Sequence, residues 1–165
     1  MDIDWTLALI AAAWAIVLGG AGGALTEIGP WYRDLKKPSW QPPDWLFGPA
    51  WTVILGLAGW SFYLALGAAD ANSEKALVAG LFIFNFAAHF AWSPLFFKLK
   101  RPDIALIEVV FLWLSVLALV IALRPFSQLA SWLNVPYLAW VSFAAFLNWK
   151  IVQLNGPFGS KADEA

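Results

Sequence analysis

The sequence has no cysteine, a single histidine and few charged residues. Without cysteine there can be no disulfide scaffold, thiolate metal site or thiol redox motif. Charged residues make up 13% of the 165, against about 25% in an ordinary soluble domain. The chain has too few polar side chains to cover the surface of a soluble protein, which excludes a soluble enzyme. The net charge of −1 offers no basic surface to nucleic acid. The hydrophobic content of 61% excludes a disordered chain.

Long charge-free segments take the place of the missing charges. Four of them have at least 22 residues: 5–26, 45–69, 76–97 and 125–149. A fifth segment, 104–123, contains a single charged residue, Glu108. A helix crosses the hydrocarbon core in about 20 residues, and nothing alternates as membrane β-strands do. We therefore predict an all-α integral membrane protein, one domain over 1–165, with transmembrane helices at about 5–26, 46–67, 76–97, 104–123 and 130–153.

Five crossings place the termini on opposite sides of the membrane, and the basic residues indicate which side is which. The side of the N-terminus has two, Lys75 and Arg124. The other side has eight: Arg33, Lys36, Lys37, Lys98, Lys100, Arg101, Lys150 and Lys161. The positive-inside rule predicts an external N-terminus and a cytoplasmic C-terminus.

The long connection at 27–45 is rich in aromatic residues and proline. It contains Trp31, Tyr32, Pro38, Trp40, Pro42, Pro43 and Trp45. Proline restricts the backbone and aromatic rings have large surfaces to bury, so the segment is not a flexible linker. We predict an ordered first loop that acts as a lid over one end of the helix bundle.

Polar residues in the third segment share one helix face. Asn85, His89 and Trp92 stand at i, i+4 and i+7, and polar groups at membrane depth should face the bundle interior. Two interpretations stay open: a ligand-facing wall, or hydrogen bonds between helices that only hold the fold. A role for His89 as a metal or haem-iron ligand is weaker, because the sequence has no second histidine and no cysteine.

Glu108 lies about five residues inside its segment, so it either reaches the lipid headgroups or pairs with Lys100 or Arg101. A proton relay from Glu108 to His89 ranks second. In the first segment four small residues recur every four positions: Ala11, Ala15, Gly19 and Gly23. They predict close helix packing, within one molecule rather than in a dimer seam. Gly20 and Gly22 add space beside them for a pocket.

The 12 tryptophans divide by depth. Those near segment ends fit an interfacial belt: Trp5, Trp31, Trp45, Trp132 and Trp149. Others lie deeper: Trp51, Trp60, Trp113 and Trp140. Deep indole rings beside small residues predict flat walls for a flat, hydrophobic ligand.

Four groups of residues form a pattern along the chain. In the first loop they are Trp31-Tyr32, Leu35, Lys37-Pro38, Trp40 and Pro42-Pro43, followed in the second helix by Phe47, Pro49 and Trp51-Thr52. The third helix has Trp92-Ser93-Pro94-Leu95-Phe96-Phe97, and the fifth has Pro136-Tyr137-Leu138, Trp140, Phe143-Ala144 and Leu147-Asn148. In their order and spacing, these groups resemble the TspO/MBR family of translocator proteins.

The resemblance implies a five-helix bundle, often dimeric, in a bacterial cell membrane. It implies a cavity beneath the first loop for tetrapyrroles such as protoporphyrin IX or haem, and for similar hydrophobic molecules. Expected ligand-binding residues are Tyr32, Pro42, Trp51, Asn85, His89, Trp92, Trp140, Phe143, Ala144 and Asn148. Trp51 and Trp140 are also expected to take part in light-dependent porphyrin breakdown. No obligatory cofactor, metal or nucleic-acid partner is expected.

The chain departs from the family pattern in two places. The family's third helix usually has Gln and then Asn where this sequence has Asn85 and His89, and an imidazole can bind iron where an amide cannot. The family's sterol motif needs a Tyr, which is missing at Asn148-Trp149-Lys150. A sterol partner is therefore the least supported of the expected ligands.

Three functions are compatible with the sequence. We favour a membrane receptor for tetrapyrroles with a role in tetrapyrrole or stress regulation. The alternatives are a transporter in which His89 and Glu108 couple protons, and a passive assembly module that associates through the small-residue ridge.

Overall fold

The computed structural model describes residues 3–159, so Lys161 of the basic count lies outside the described residues. Within that part the chain is helical and has no β-strand. Its helices are α1 (Trp5–Leu25), α2 (Pro30–Asp34), α3 (Phe47–Ala68), α4 (Asn72–Ser93), α5 (Pro102–Ala122), α6 (Gln128–Leu133) and α7 (Val135–Asn155). Five stretches are long and apolar enough to cross a membrane, which confirms the predicted five-helix architecture.

Local polar contacts set the helix ends. The Asp4 carboxylate caps α1 by accepting from the backbone N–H of Thr6 at 3.0 Å and of Leu7 at 3.1 Å. The Glu74 carboxylate accepts from the N–H of Asp70 and of Ala71. Because Glu74 stabilises this first turn, α4 begins at residue 72, before the expected 76.

Three of the five spanning stretches are not regular α-helices. The second begins with a 3-10 turn at Asp44–Leu46. After α4, Pro94–Lys98 forms a π-helical turn, which leaves both Phe96 and Phe97 buried. The last span is interrupted at Asn134, whose amide nitrogen donates to Ser61 Oγ at 2.7 Å and to the carbonyl of Ala130 at 2.9 Å. These bonds join α6 and α7 to α3, where we had expected one uninterrupted helix.

The helices form a closed ring. α1 packs between α3 and α4, α5 packs between α4 and α7, and α6 and α7 return to α3. One core runs through the middle of the bundle around Leu18, Phe82 and Tyr137. A second core lies at the loop end, where Tyr32 packs against the aromatic pair after α4.

Ala11 and Ala15 of the small-residue ridge pack against α3 inside the molecule, as predicted, whereas Cβ atoms built on Gly20 and Gly23 would meet nothing within 4 Å. A Cβ built on Gly59 of α3 would stand 3.1 Å from the Cβ of Ala15 and 3.2 Å from the carbonyl oxygen of Ala11. Gly19 of α1 faces Leu55 of α3. The close approach of α1 to α3 therefore depends on a glycine at residue 59.

We expect Gly59→Leu to destabilise the protein, because overpacking a tight contact costs about 1–3 kcal/mol. In a thermal scan in detergent, this variant should unfold several degrees below the parent. Gly56→Leu is the matched control, since a Cβ at Gly56 of the same helix would have no neighbour within 4 Å. Equal melting temperatures for the two variants would contradict this packing.

Candidate functional site

A cavity of about 310 Å³ lies inside the ring at the loop end of the bundle. All five spanning stretches contribute to it. Its walls include Gly19, Gly22, Gly23, Trp51, Leu55, His89, Trp92, Val109, Leu112, Val141 and Ala144. The volume falls in the range of small-molecule sites.

Glycine backbone forms the α1 wall. Gly19, Gly22 and Gly23 line the cavity, and a Cβ built on Gly22 would stand 3.9 Å from Nε2 of His89. The absent side chains leave space between α1 and α4 that larger residues would fill. Gly22 thus shapes the cavity, as its place beside the ridge suggested.

The α3 wall is aromatic. The Trp51 ring stands edge to face against His89, with ring centroids 4.7 Å apart, and against Trp140 at 6.2 Å. Trp140 also packs against Phe47 and Phe143. It therefore lies behind Trp51, whose indole is on the cavity wall.

A chain of hydrogen bonds runs from the cavity wall into the core. Nδ1 of His89 lies 2.7 Å from the Tyr137 hydroxyl, and that hydroxyl donates to Oδ1 of Asn85 at 3.3 Å. Nδ2 of Asn85 donates to Oγ of Ser115 at 2.8 Å, and Ser115 donates to the Leu112 carbonyl at 2.7 Å. The chain links α4, α5 and α7 where no water is available to pair these groups.

A smaller hollow of about 80 Å³ lies directly beneath the loop. It shares lining residues with the main cavity: Thr26, Phe47, Trp92, Phe97 and Ala144. Tyr32 and Asp44 of the loop and Asn148 of α7 complete it. The two spaces adjoin, so the first loop covers the hollow at one end of the main cavity.

Polar contacts within the loop hold it in shape. The Tyr32 hydroxyl donates to Oδ1 of Asp44 at 3.0 Å. The Gln41 amide nitrogen donates to the Tyr32 hydroxyl oxygen at 3.2 Å and to Oδ1 of Asp44 at 3.1 Å. Burial and the nearby carboxylate hold the pKa of Tyr32 well above its usual range. Lys37 donates to the Tyr32 carbonyl at 2.6 Å, and its ammonium lies 4.1 Å from the centre of the Tyr32 ring.

A second set of contacts fastens the loop to the bundle. The Asn155 amide at the end of α7 accepts from the N–H of Lys36 at 2.7 Å and donates to the Lys36 carbonyl at 2.8 Å. Trp40 stacks on Phe146 of α7, with ring centroids 5.2 Å apart. An ordered loop in the position of a lid is thus what the structure has.

Some of the predicted site residues line the main cavity or the hollow, and others line neither. Trp51, His89, Trp92 and Ala144 line the main cavity, and Tyr32, Trp92, Ala144 and Asn148 line the hollow. Not on these walls are Pro42, Asn85, Trp140 and Phe143. The Asn148 amide, oriented so that both its atoms are paired, donates to the Pro102 carbonyl and accepts from the N–H of Leu106, each at 3.1 Å.

Two sequence interpretations are wrong. Trp60 is 53% exposed on the outside of the bundle and forms no cavity wall. Arg101 pairs with Asp103 at 2.6 Å, and in the described part of the chain no ion pair joins Glu108 to Lys100 or to Arg101. Within residues 3–159, Oε2 of Glu108 is buried without a hydrogen-bond partner, and no hydrogen bond joins Glu108 to His89.

Sequence reasoning missed three residues that matter here. Tyr137 is fully buried and joins His89 to Asn85. Ser115 ends the polar chain, and Asn155 fastens the loop. Lone polar residues within apolar helices were the available signal, since each needs a partner inside the protein.

Comparison with known proteins adds evidence of another kind. The sequence model of the TspO/MBR family matches residues 7–154. The tryptophan-rich protein TspO of Chlorobaculum tepidum is 39% identical over 85% of this chain and 90% of its own length. Protein CrtK of Rhodobacter capsulatus is 37% identical over 86% and 88%, and the translocator protein of Homo sapiens 37% identical over 76% and 75%.

We expect Asn155→Ala to loosen the loop, because it removes both hydrogen bonds to Lys36. Two net hydrogen bonds are worth about 1–3 kcal/mol, so amide exchange over residues 35–41 should quicken by about tenfold or more. Hydrogen exchange measured by mass spectrometry would report it. Gln153→Ala is the control, since Gln153 contacts Lys150 of its own helix and not the loop. Unchanged exchange in Asn155→Ala would show that these bonds do not hold the loop.

Proposed function

Because this chain belongs to the TspO/MBR family, we propose that it is a membrane receptor for tetrapyrroles such as protoporphyrin IX and for similar flat, hydrophobic molecules. The proposal includes a role in tetrapyrrole or stress regulation. The observation that carries it is the cavity of about 310 Å³ between glycine backbone on α1 and the Trp51 ring on α3. Such a site suits a flat ligand, because aromatic walls offer it a large apolar contact.

The loop supports binding rather than free passage. It is fastened to α7 by Asn155 and by the Trp40–Phe146 stack, so a ligand beneath it would be shielded on that side. We propose that the loop end faces the cytoplasm of a bacterial cell membrane, since the basic side chains of Lys36, Lys37 and Lys98 lie there. A homodimer and a sterol ligand remain further proposals.

The tryptophan pair suggests a photochemical role for the same site. A porphyrin in the cavity would lie against Trp51, with Trp140 directly behind at a centroid distance of 6.2 Å. Light-excited porphyrin can take one electron from a neighbouring indole, which leaves a porphyrin radical anion and an indole radical cation, and the second indole can then reduce the first. We propose that this pair supports light-dependent breakdown of bound protoporphyrin, with dissolved O2 as the oxidant that takes up the transferred electron and opens the ring.

Proton-coupled transport is the competing function, favoured by one observation. Glu108 places a carboxylate oxygen without a partner inside a spanning helix, and such groups often mark proton or ion paths. Liposomes loaded with protoporphyrin would decide between them. Flux that collapses in His89→Ala and Glu108→Gln favours transport, whereas saturable binding without flux favours a receptor.

We expect protoporphyrin IX to quench tryptophan fluorescence saturably in the purified protein. In the double variant Trp51→Phe/Trp140→Phe, bound porphyrin should bleach several-fold more slowly under illumination, because phenyl rings are poor electron donors. Absorbance of the bound porphyrin during illumination is the measurement.

Trp60→Phe is the matched control, since Trp60 lies in the same helix as Trp51 but faces outward. It should bind and bleach like the parent. Bleaching at the parental rate in the double variant would remove the photochemical role. Absence of saturable quenching in the parent would remove the proposed receptor.

A further inference from the structure

We infer that His89 is an axial ligand for a metal-containing tetrapyrrole, held ready by Tyr137. The inference rests on the proposed function and narrows it from tetrapyrroles in general to those with an open axial position on the metal. It is carried by the direction of the hydrogen-bond chain, by where Nε2 of His89 lies, and by the lack of other metal ligands nearby.

The hydrogen-bond chain determines which ring nitrogen of His89 carries the proton. Its far end is a carbonyl, which can only accept, so the Ser115 hydroxyl donates to Leu112 and accepts from the Asn85 amide. The Asn85 oxygen then accepts a hydrogen bond from the Tyr137 hydroxyl.

The phenol has no second proton to give, so it accepts from the imidazole 2.7 Å away, and Nδ1 of His89 is the donor. Rotating the Asn85 amide would leave Ser115 with two acceptors for one proton. The arrangement that pairs every donor therefore leaves Nε2 of the neutral imidazole with a free lone pair.

This lone pair lies at the cavity. His89 is among the lining residues, and a Cβ on Gly22 would stand 3.9 Å from its Nε2. Glycine at position 22 keeps that space open. Among the described residues Nε2 has no hydrogen-bond partner, since the one bond of the ring is made by Nδ1.

A single imidazole selects the kind of metal it can bind. Protein sites for a bare zinc ion need three or four side-chain ligands, and in residues 3–159 no three His, Cys, Asp or Glu side chains gather at one place. A tetrapyrrole brings four nitrogen ligands of its own, so its metal needs only an axial one, as haem iron takes from a proximal histidine.

Tyr137 acts as a positioning residue. Metal-binding histidines usually donate their other ring N–H to an oxygen, which fixes the ring and makes the free nitrogen more basic. Tyr137 is fully buried and held in turn by Asn85, which is also fully buried. The imidazole is therefore oriented before any ligand arrives.

The test compares three probes on the full-length protein in lipid nanodiscs: ferric haem, zinc protoporphyrin and metal-free protoporphyrin IX. The parent should give the absorption and electron paramagnetic resonance spectra of an imidazole-ligated haem, and a red-shifted Soret band for zinc protoporphyrin. His89→Asn, which supplies the amide usual in the family, should lose these signatures. Its affinity for haem should fall at least about tenfold, and by a larger factor than its affinity for metal-free protoporphyrin.

Two further variants separate ligation from folding. In His89→Gly, added imidazole should restore the parental haem spectrum, which a purely structural role for the side chain would not allow. Tyr137→Phe should weaken haem binding by about 10- to 100-fold, as loss of an outer-shell partner does, without changing metal-free binding.

The outcomes distinguish this inference from the proposed function. If all three porphyrins bind and the haem spectrum is the same in the parent and His89→Asn, axial ligation by His89 is wrong while the receptor stands. If the parent binds none of the probes, the receptor proposal fails and the inference fails with it.

Discussion

Pairing of polar groups in a medium without water is the constraint on which the rest of this structure depends. Inside a bilayer an amide or hydroxyl cannot turn to solvent, so it must find a partner within the protein. The bonds from His89 through Tyr137 and Asn85 to Ser115 meet this need and tie α4, α5 and α7 together. The same bonds orient the one histidine at the cavity, so here the packing of the fold and the chemistry of the site have a common cause.

Close packing and open space are also produced by the same residue type. Gly59 of α3 brings α1 near, with almost no room to spare. Farther along α1, a Cβ on Gly23 would meet nothing within 4 Å and one on Gly22 would meet only the His89 ring at 3.9 Å, and both glycines border the cavity. Gly59, which faces the small residues Ala11 and Ala15, lets α1 and α3 pack closely. Gly22 and Gly23, which border the cavity, leave its space unfilled. The position of each glycine relative to its neighbours decides which effect it has.

Much of the fold could be predicted from the sequence, because charged residues separate the five apolar segments from one another. The inward face was predictable where a polar side chain marked it, as for Asn85 and His89, both of them buried. It was not predictable for tryptophan. Lipid is as apolar as the protein interior, so hydrophobicity gives no signal that distinguishes Trp51, on the cavity wall, from Trp60, on the outer surface. Pairs far apart in sequence, such as Lys36 with Asn155, also required the structure.

The direction of the hydrogen-bond chain has a consequence for selectivity. In the tautomer inferred for His89, every donor along the chain points toward the Leu112 carbonyl, so His89 meets a ligand as an electron-pair donor only. A ketone or ester oxygen placed there would face lone pair against lone pair, and the chamber would repel it. Hydrogen-bond donors and electron-poor metal centres would be attracted instead. Ser115, three residues after Leu112 on α5, thus determines whether His89 donates or accepts at the cavity, although Ser115 does not line the cavity.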